Sequence, residues 1–238
     1  RTPIGFVLPK VTPVLEEVKE LFLVRDAEFA GSLRRRQETI RDIDILVSVS
    51  ESNWNDTTLR QLRTDIVDCV VRVLGSVEVE AEGERKIRAR DQDGLQIDFL
   101  FVPSNEYGAA LQYFTGSKEH NIELRKRAID RGWRLNEKGL VDEEGVVLAS
   151  NREKDVYKAL GVPILPPELR QDGTEVGKSR PENLVWVSDV KGSLHNHTNW
   201  SDGRSTIEEM ELAAAKLGHR DIAITDHPKA LPIANGLD

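Results

Sequence analysis

The sequence predicts an α+β fold, with a mixed sheet and helices first, a mostly helical region next and a short parallel α/β segment last. Three observations predict it. Alternation of apolar and polar residues in runs such as DIDILVSVS indicates strands near the start. From about residue 105 to residue 169, the apolar residues recur at helical spacing. The final segment reads strand, helix, strand, which is one unit of a parallel α/β architecture.

The first region alternates helices and strands. TPVLEEVKELF has helical apolar spacing, and VRDAEFA predicts a short strand that runs into Gly31 and Ser32. In the strand DIDILVSVS, the alternation places Asp42 and Asp44 on one face. Asp56 is the expected N-cap of the next helix. Three further strands, in VEVEAE, ERKIRAR and LQIDFLFV, complete a mixed sheet backed by helices.

The middle region predicts three helices. EYGAALQYF forms one, and Ser117 caps the next, KEHNIELRKRAIDR, which ends at Gly132. Ser150 and Glu153 form a capping-box pattern at the start of NREKDVYKAL, and Gly161 closes that helix. The polar stretch PPELRQDGTEVGKSRPEN then predicts a connection between domains.

The final segment predicts two strands and one helix. VKGSLHNH and DIAITDH are the strands, and TIEEMELAAAKL is the helix, capped by Ser205 with Glu208. His219, just after this helix, matches no site pattern and is expected to be solvated. The same is expected of His120 in the middle region.

The composition is that of a globular protein. The chain has 238 residues and a net charge of −8, which argues against indiscriminate coating of nucleic acid. No run approaches the about 20 apolar residues that cross a bilayer, and no signal peptide is evident, so a cytoplasmic location is expected. The single cysteine, Cys69, lies in an apolar run and is expected to be buried. A first residue that is Arg rather than Met predicts a fragment or a processed product.

The aspartate pair in DID predicts a site for divalent cations. Asp42 and Asp44 converge on one point, and Asp98 in QIDFLF, with the same apolar flanks, could join them from a neighbouring strand. Three unpaired carboxylates repel one another, so a hard cation such as Mg²⁺ suits them. Two such ions on a phosphate can activate a hydroxyl and stabilise the leaving oxygen. Short acidic pairs are common, so DID alone does not establish the site.

The turn before these aspartates predicts a phosphate site. Gly31 and Ser32 end a strand and precede three arginines, which offers a triphosphate backbone N–H groups, a hydroxyl and guanidinium groups. The arginines and the aspartates lie close together in the sequence because the arginines would bind the polyphosphate directly, while the aspartates would bind the metal ions on it. The alternative is that Arg34 to Arg36 form a solvated turn.

The combination of GSLRRRQETIRDIDIL with IDFLFVP resembles the nucleotidyltransferase signature. More closely, it resembles the palm of a family X DNA polymerase, the group that includes DNA polymerase beta. The resemblance implies that Asp42 and Asp44 hold two Mg²⁺ ions and that Asp98 joins the catalytic ion. It also implies that Ser32 and Arg35 bind the β- and γ-phosphates of a nucleotide.

One position departs from the family. Arg41 stands where the family usually has Gly, immediately before the first metal aspartate. Its side chain would either crowd the triphosphate or add a cationic contact. The small DNA-end-binding domain and the helix-hairpin-helix region of the family have no counterpart in this sequence, so a weaker grip on the primer duplex is expected.

The segment YFTGSKEHN is similar to the family's segment that holds the incoming nucleotide. By this resemblance, Tyr113 and Phe114 would crowd the sugar and disfavour a 2′-hydroxyl. Gly116 would allow the backbone to approach the nucleotide closely. Lys118 and Asn121 would contact the nucleotide base, and Arg125 would contact the template strand. Without the upstream aspartates, the same segment would read as a helix end with two aromatic rings in the core.

A second constellation lies at the ends of the two final strands. HNHTNWSDG places His195, His197 and Asp202 together, and ITDH adds His227. Imidazole and carboxylate ligands suit Zn²⁺, Mn²⁺ or Fe²⁺. HxH alone could be a pair of surface histidines, but HNHTNWSDG with AITDHPKALPIANGLD resembles the opening of a PHP phosphoesterase domain. Four ligand positions match, whereas Ser193 stands where the family commonly has Asp.

The implied domain order is specific. The palm is predicted at residues 1–104, the thumb at 105–170, a linker at 171–190 and the start of a PHP domain at 191–238. A barrel of the PHP kind needs about 200 residues or more, and the later ligands of the pattern are absent. The second metal site is therefore expected to be partial, suited to Zn²⁺ or Mn²⁺ when complete, and inactive alone.

The resemblance implies a DNA-directed DNA polymerase that fills short gaps in base-excision repair. Its partners would be gapped or primer–template DNA and dNTPs, with no membrane partner, and the protein is expected to be a monomer. One alternative is an untemplated nucleotidyltransferase acting on a small acceptor, which gives YFTGSKEHN no role. Another is a DNA-binding remnant without chemistry.

Overall fold

The computed structural model describes residues 1–230 and 232–236. Residues 231, 237 and 238, which belong to the predicted PHP segment, lie outside the described residues. The chain divides into two compact units, Arg1–Arg180 and Pro181–Asp238. No helix among the described residues has both the length and the apolar character to cross a membrane.

The first unit contains ten strands and six α-helices among the described residues. In chain order these are β1 (Thr2–Pro3), α1 (Ile4–Lys19), β2 (Asp26–Phe29), α2 (Gly31–Arg34), β3 (Thr39–Ile40), β4 (Asp42–Val49), α3 (Asp56–Leu74), β5 (Val77–Gly83), β6 (Lys86–Asp91), β7 (Gln96–Pro103), α4 (Tyr107–Thr115), α5 (Lys118–Ile129), β8 (Arg134–Asn136), β9 (Gly139–Val141), β10 (Val147–Ala149) and α6 (Glu153–Ala159).

A five-stranded mixed sheet organises the first part of this unit. Its strand order is β2-β4-β7-β6-β5, in which β4 and β7 are parallel and every other neighbouring pair is antiparallel. The mixed sheet with helices confirms the predicted α+β fold class. In the parallel pair, Asp42 is in register with Gln96 and Asp44 with Asp98.

Helices α1 and α3 share one hydrophobic core with the inward-facing residues of the sheet. The core includes Val11 and Val18 from α1 and Ile66 from α3, which are fully or almost fully buried. Ile43 and Ile97 of the parallel strands belong to the same cluster. Since neighbouring residues of a strand point to opposite faces, the aspartates of β4 and β7 are directed away from this core.

The predicted thumb has its own core. Helices α4, α5 and α6 surround a small antiparallel sheet of order β10-β9-β8, and Leu124, Leu140 and Tyr157 are buried among them. Arg170 is 1% exposed, and Val176 belongs to the same hydrophobic cluster. Residues 171 to 180, predicted as the first half of a linker, are therefore packed as part of the first unit.

Two predicted N-caps are each displaced by one residue. Asn55 rather than Asp56 caps α3, because its side chain accepts a hydrogen bond of 3.0 Å from the Thr58 N–H. In the second unit, Thr206 caps the helix in a capping box with Glu209, in place of the predicted Ser205 and Glu208. Adjacent residues of similar capping ability account for such displacements. The predicted Ser117 cap of α5 is present.

The predicted capping box at Ser150 and Glu153 is wrong, because the Glu153 carboxylate binds two arginines instead. Arg34 donates to both of its oxygens, at 3.0 and 2.9 Å, and Arg170 Nη1 lies 2.5 Å from Oε1. Burial alone would raise the pKa of Glu153, but the two guanidinium groups outweigh burial and hold this pKa below its ordinary value. The triad Arg34–Glu153–Arg170 joins the turn after β2 to the start of α6.

The second unit contains β11 (Gly192–Asn196), α7 (Ile207–Lys216) and β12 (Asp221–Ile224). The two strands are parallel, as the strand–helix–strand pattern predicts. Among the described residues of this unit, the buried apolar side chains are Ala214 and Ala234, so its core is small.

We expect substitution of Glu153 by Gln to destabilise the first unit. The change would leave two guanidinium groups, one of them fully buried, without a counter-charge, which typically costs about 3–5 kcal/mol. Urea unfolding would measure the loss. Asp155→Asn, on the same helix but in an exposed pair with Arg152, is the matched control and should change the unfolding midpoint little. An unchanged midpoint for Glu153→Gln would contradict the assigned role.

Candidate functional site

Three aspartates meet on the outer face of the parallel strands. Asp42 and Asp44 alternate along β4, and Asp98 on β7 is in register with Asp44. Asp98 is buried, and the other two are half-buried. The structure thus places the three predicted carboxylates on neighbouring strands, where they share one surface.

The electrostatics of Asp44 show that these carboxylates interact. Burial raises the pKa of Asp44 to about 6, and repulsion by Asp42 and Asp98 acts in the same direction. A positive charge near a carboxylate with a raised pKa stabilises its ionised form. Oxygen ligands with excess negative charge are the donor set of Mg²⁺, so these residues fit the predicted metal.

Two cationic side chains that the sequence analysis missed bind Asp98. Lys86 Nζ donates to Oδ2 at 2.6 Å, and Arg88 donates to Oδ1 at 2.9 Å and to Oδ2 at 3.2 Å. Burial raises the pKa of Asp98, but these hydrogen bonds outweigh burial and hold it below its ordinary value. The alternation in ERKIRAR, which puts both cations on one face of β6, was the available signal.

The palm carboxylates are not drawn into a compact ligand cluster in this state. Among the described residues, the group whose ligand atoms all lie within 4.8 Å of one another is in the second unit, not in the palm. Both oxygens of Asp98 accept hydrogen bonds from Lys86 and Arg88.

Gly31 allows the predicted phosphate turn to lie against the aspartates. Its φ is +56°, and a Cβ at this position would lie 2.3 Å from Asp44 Oδ2. The Ala30 N–H donates to the Asp44 carbonyl at 2.8 Å, which ties the turn to β4. Ser32 follows in α2 and is half-buried. Only glycine combines this backbone conformation with so close an approach.

The three consecutive arginines have three different environments. Arg34 is committed to Glu153 and to the Thr115 hydroxyl, to which it donates at 2.6 Å. Arg35 donates to the Thr115 carbonyl, and its Nε is buried without a hydrogen-bond partner among the described residues. Arg36 is exposed. Arg35 therefore connects the phosphate turn to the YFTGSKEHN segment.

Arg41 does not enter the space between the turn and the aspartates. Its side chain is 75% exposed, and its Nη2 lies 3.4 Å from Asp42 Oδ2. The contact that the structure shows is with the Asp42 carboxylate, and a contact of Arg41 with the triphosphate stays a prediction.

The YFTGSKEHN segment forms the end of α4 and the start of α5. The rings of Tyr113 and Phe114 are perpendicular, with centroids 5.2 Å apart. Gly116 has a φ of +66°, and a Cβ there would lie 3.2 Å from Arg35 Nη1. The segment thus lies directly beside Arg35 of the phosphate turn.

The other residues of the segment differ in accessibility. Lys118 is exposed and Arg125 is half-buried. The Asn121 side chain is held internally, since it accepts from Gln112 at 2.6 Å and donates to the Tyr113 carbonyl at 2.7 Å. Its predicted contact with a base is therefore not preformed in this state.

The prediction that His120 is solvated is wrong. Its side chain is 1% exposed, and both ring nitrogens are hydrogen-bonded, to Glu175 at 2.7 Å and to the Tyr157 hydroxyl at 2.8 Å. Polar partners that lie far away in sequence account for its burial. His219 is half-buried, and its Nδ1 has no hydrogen-bond partner among the described residues.

The second unit brings its four predicted ligands together. His195 Nε2 lies 2.8 Å from His197 Nε2, and Asp202 carboxylate oxygens lie 3.3 Å from His197 Nδ1 and 3.7 Å from His227 Nε2. The ligand atoms of His197, Asp202 and His227 all lie within 4.8 Å of one another.

The donor set of this cluster fits a transition metal. His197 Nδ1 is buried, and although it lies 3.3 Å from Asp202, the geometry forms no hydrogen bond. A buried imidazole nitrogen of this kind is open to a cation. Nearby, Asp226 accepts from the Thr198 N–H at 2.7 Å and from the Ser201 hydroxyl at 2.5 Å. Asp226 therefore shapes the loop that carries Asp202.

Comparisons with known proteins agree with both regions. A family model of the DNA polymerase beta thumb matches residues 110–171, and a model of the PHP domain matches residues 193–235. The chain is 33% identical over 241 residues to the DNA polymerase/3'-5' exonuclease PolX of Bacillus subtilis, an alignment that covers all of this chain and 40% of that protein.

Two more distant relatives match a smaller share of the chain. DNA polymerase lambda of Rattus norvegicus is 29% identical over 59% of this chain and 28% of that protein. Repair DNA polymerase X of African swine fever virus is 28% identical over 59% of this chain and 78% of that protein. The chain thus spans less than half the length of the first two of these relatives. The two matched domains, the mixed sheet with its aspartates and the similarity of the whole chain to the Bacillus subtilis protein agree with the predicted resemblance to family X of the DNA polymerases.

Proposed function

We propose that this chain is a template-directed DNA polymerase that adds dNMP to a primer 3′-hydroxyl and fills short gaps in DNA repair. The observation that carries the proposal is the contact between three elements. Asp44 of β4, which is in register with Asp98 of β7, lies against the Gly31 turn, and Arg35 joins that turn to the Tyr113–Gly116 segment. One surface thus combines candidate sites for metal, triphosphate and sugar.

The side chains have distinct tasks in the proposed reaction, in which the hydroxyl attacks the α-phosphate and pyrophosphate leaves. Asp42, Asp44 and Asp98 would hold two Mg²⁺ ions. When bound, these ions would supply charge stabilisation at the attacking and leaving oxygens. Ser32 and Arg35 would bind the β- and γ-phosphates through a hydroxyl and a guanidinium group.

The nucleotide would be positioned by the segment that follows α4. Tyr113 and Phe114 present a pair of rings for the sugar, and Gly116 allows the backbone to approach it. Lys118 and Asn121 would contact the base, the latter after release of its internal hydrogen bonds. Arg125, in turn, would contact the template strand.

The two alternatives assign less of this geometry. An untemplated nucleotidyltransferase would need the aspartates but not the segment from Tyr113 to Arg125. A DNA-binding remnant would need neither the close approach at Gly31 nor the convergence of three carboxylates. We therefore favour the polymerase.

For the second unit, we propose a partial phosphoesterase-type metal centre. His195, His197, Asp202 and His227 would hold Zn²⁺ or Mn²⁺ in the complete domain. The name of the Bacillus subtilis relative includes a 3'-5' exonuclease. We propose that this segment supplies ligands of such a site.

The setting of the proposed function follows from the kind of relatives found. Gapped or primer–template DNA and dNTPs are the proposed substrates, because the relatives are named as DNA polymerases. We further propose a cytoplasmic monomer.

Primer extension on gapped DNA with Mg²⁺ tests the proposed function directly. We expect templated addition by the wild-type chain and loss of most addition by Asp98→Asn, which removes a metal ligand but keeps the shape of the side chain. Asp93→Asn, an exposed residue on the hairpin before β7, is the control. Addition that ignores the template would indicate an untemplated transferase, and DNA binding without addition would indicate a remnant. Wild-type rates for Asp98→Asn would refute the aspartate assignment.

Gly31→Ala tests the contact between the phosphate turn and the aspartates. We expect loss of most extension activity, because the new Cβ would lie 2.3 Å from Asp44 Oδ2 and must displace it. Gly94→Ala is a matched control, since Gly94 also has a positive φ, +79°, but its Cβ would meet no atom within 4 Å. Equal activity of the two variants per folded molecule would show that the close approach is unimportant.

Tyr113→Ala tests the proposed sugar selection. Removal of the ring should raise the use of ribonucleotides relative to deoxyribonucleotides, because space opens where a 2′-hydroxyl would lie. The ratio of dNTP to rNTP incorporation measures this, and Tyr113→Phe, which keeps the ring, should behave as wild type. An unchanged ratio for Tyr113→Ala would rule out a steric gate at this residue.

A further inference from the structure

The first turn of α5 is held by the segment from Arg170 to Val176. Ser117, the N-cap of α5, donates from its hydroxyl to the Gln171 carbonyl at 2.5 Å and accepts from the His120 N–H at 3.1 Å. This turn also carries Lys118 and Asn121, for which base contacts are proposed. Whatever fixes the turn therefore fixes the base-contacting residues.

His120 supplies the buried part of this attachment. Its ring lies between the Tyr157 hydroxyl of α6, at 2.8 Å, and the Glu175 carboxylate, at 2.7 Å. Because both ring nitrogens are used and the side chain is 1% exposed, the ring has one orientation available. A rotation of α5 would break both hydrogen bonds.

The direction of these hydrogen bonds follows from the burial. Burial lowers the pKa of His120, which favours the neutral ring with one N–H. Burial also raises the pKa of Tyr157, whose hydroxyl keeps its proton and donates to Nε2. The Nδ1 N–H of His120 then donates to Glu175. Arg170 lies over the Tyr157 ring at 5.2 Å, and Glu153 neutralises Arg170.

Asn121, the residue after His120, connects α5 to α4. Asn121 is hydrogen-bonded to Gln112 and to the Tyr113 carbonyl of α4. These contacts must break when Asn121 turns to a base, whereas those of His120 involve no residue of α4 and can persist. His120 is therefore suited to keep the helix in place while its neighbour changes partners.

We propose that His120 and Glu175 are positioning residues that fix α5 for binding of the incoming nucleotide. This inference rests on the proposed polymerase function. Neither residue touches the nucleotide. The pair determines instead where the first turn of α5, with Lys118 and Asn121, lies relative to the sugar-binding rings of Tyr113 and Phe114.

The test measures nucleotide binding separately from turnover. His120→Phe keeps a ring of similar size but removes both hydrogen bonds, and Glu175→Ala removes one. We expect either change to raise the dNTP dissociation constant, measured on gapped DNA with a dideoxy-terminated primer, and the KM by about fivefold, as for loss of one or two hydrogen bonds. The kcat per folded molecule should stay within about twofold of wild type.

Two further variants serve as controls. Glu175→Gln keeps an acceptor for the His120 N–H and should bind dNTP nearly as wild type does. Lys126→Gln, an exposed position on the same helix, should alter neither constant.

A purely structural role would lower the amount of folded enzyme and leave KM unchanged, and that result would overturn the positioning proposal while primer extension by wild type still stood. If the wild-type chain binds dNTP but never extends a primer, the polymerase proposal fails, yet the dissociation constants still decide the role of His120 and Glu175. A wild-type chain that binds no dNTP would overturn both proposals.

Discussion

Repulsion between like charges on the parallel pair β4 and β7 is the constraint around which the first unit is arranged. The same register that buries Ile43 and Ile97 in the core places Asp44 beside Asp98 on the opposite face. The carboxylates cannot separate without uncovering apolar surface, so positive charge must come to them. Lys86 and Arg88 supply it from β6. A metal-binding surface is thus a direct result of how the sheet packs.

Much of the fold could be predicted because its signals are local. Alternation identified the strands of the mixed sheet, and helical spacing identified α3 and α5 to within a few residues. The first helix was found only in part, because α1 begins at Ile4, eight residues before the predicted TPVLEEVKELF. The aspartate cluster was also predictable, since alternation fixes the face on which Asp42 and Asp44 lie and a similar apolar frame surrounds Asp98. What alternation could not show is that cations from a third strand already bind Asp98.

Pairing between distant polar side chains has no periodic signature, and this accounts for the remaining errors. Glu153 fits a capping box by spacing, yet its carboxylate binds Arg34, 119 positions away. His120 lies in a helix rich in charged residues, which favours a solvated position. Its burial depends on Tyr157 and Glu175, and the region containing Glu175 has the Gly- and Pro-rich composition of a linker. A Gly- and Pro-rich composition predicts a flexible segment only where no long-range hydrogen bonds hold it. Here such hydrogen bonds hold the segment against α5.

The contact between Arg34 and Glu153 also restricts how the molecule can move. Any hinge that separated the turn after β2 from the start of α6 would break a bidentate ion pair and leave the half-buried Arg34 without its counter-charge. Movement of the turn away from the helix is therefore costly. Of three adjacent arginines, one is thus neutralised within the protein, and the positive charge that a polyphosphate meets at this turn is smaller than a count of residues implies.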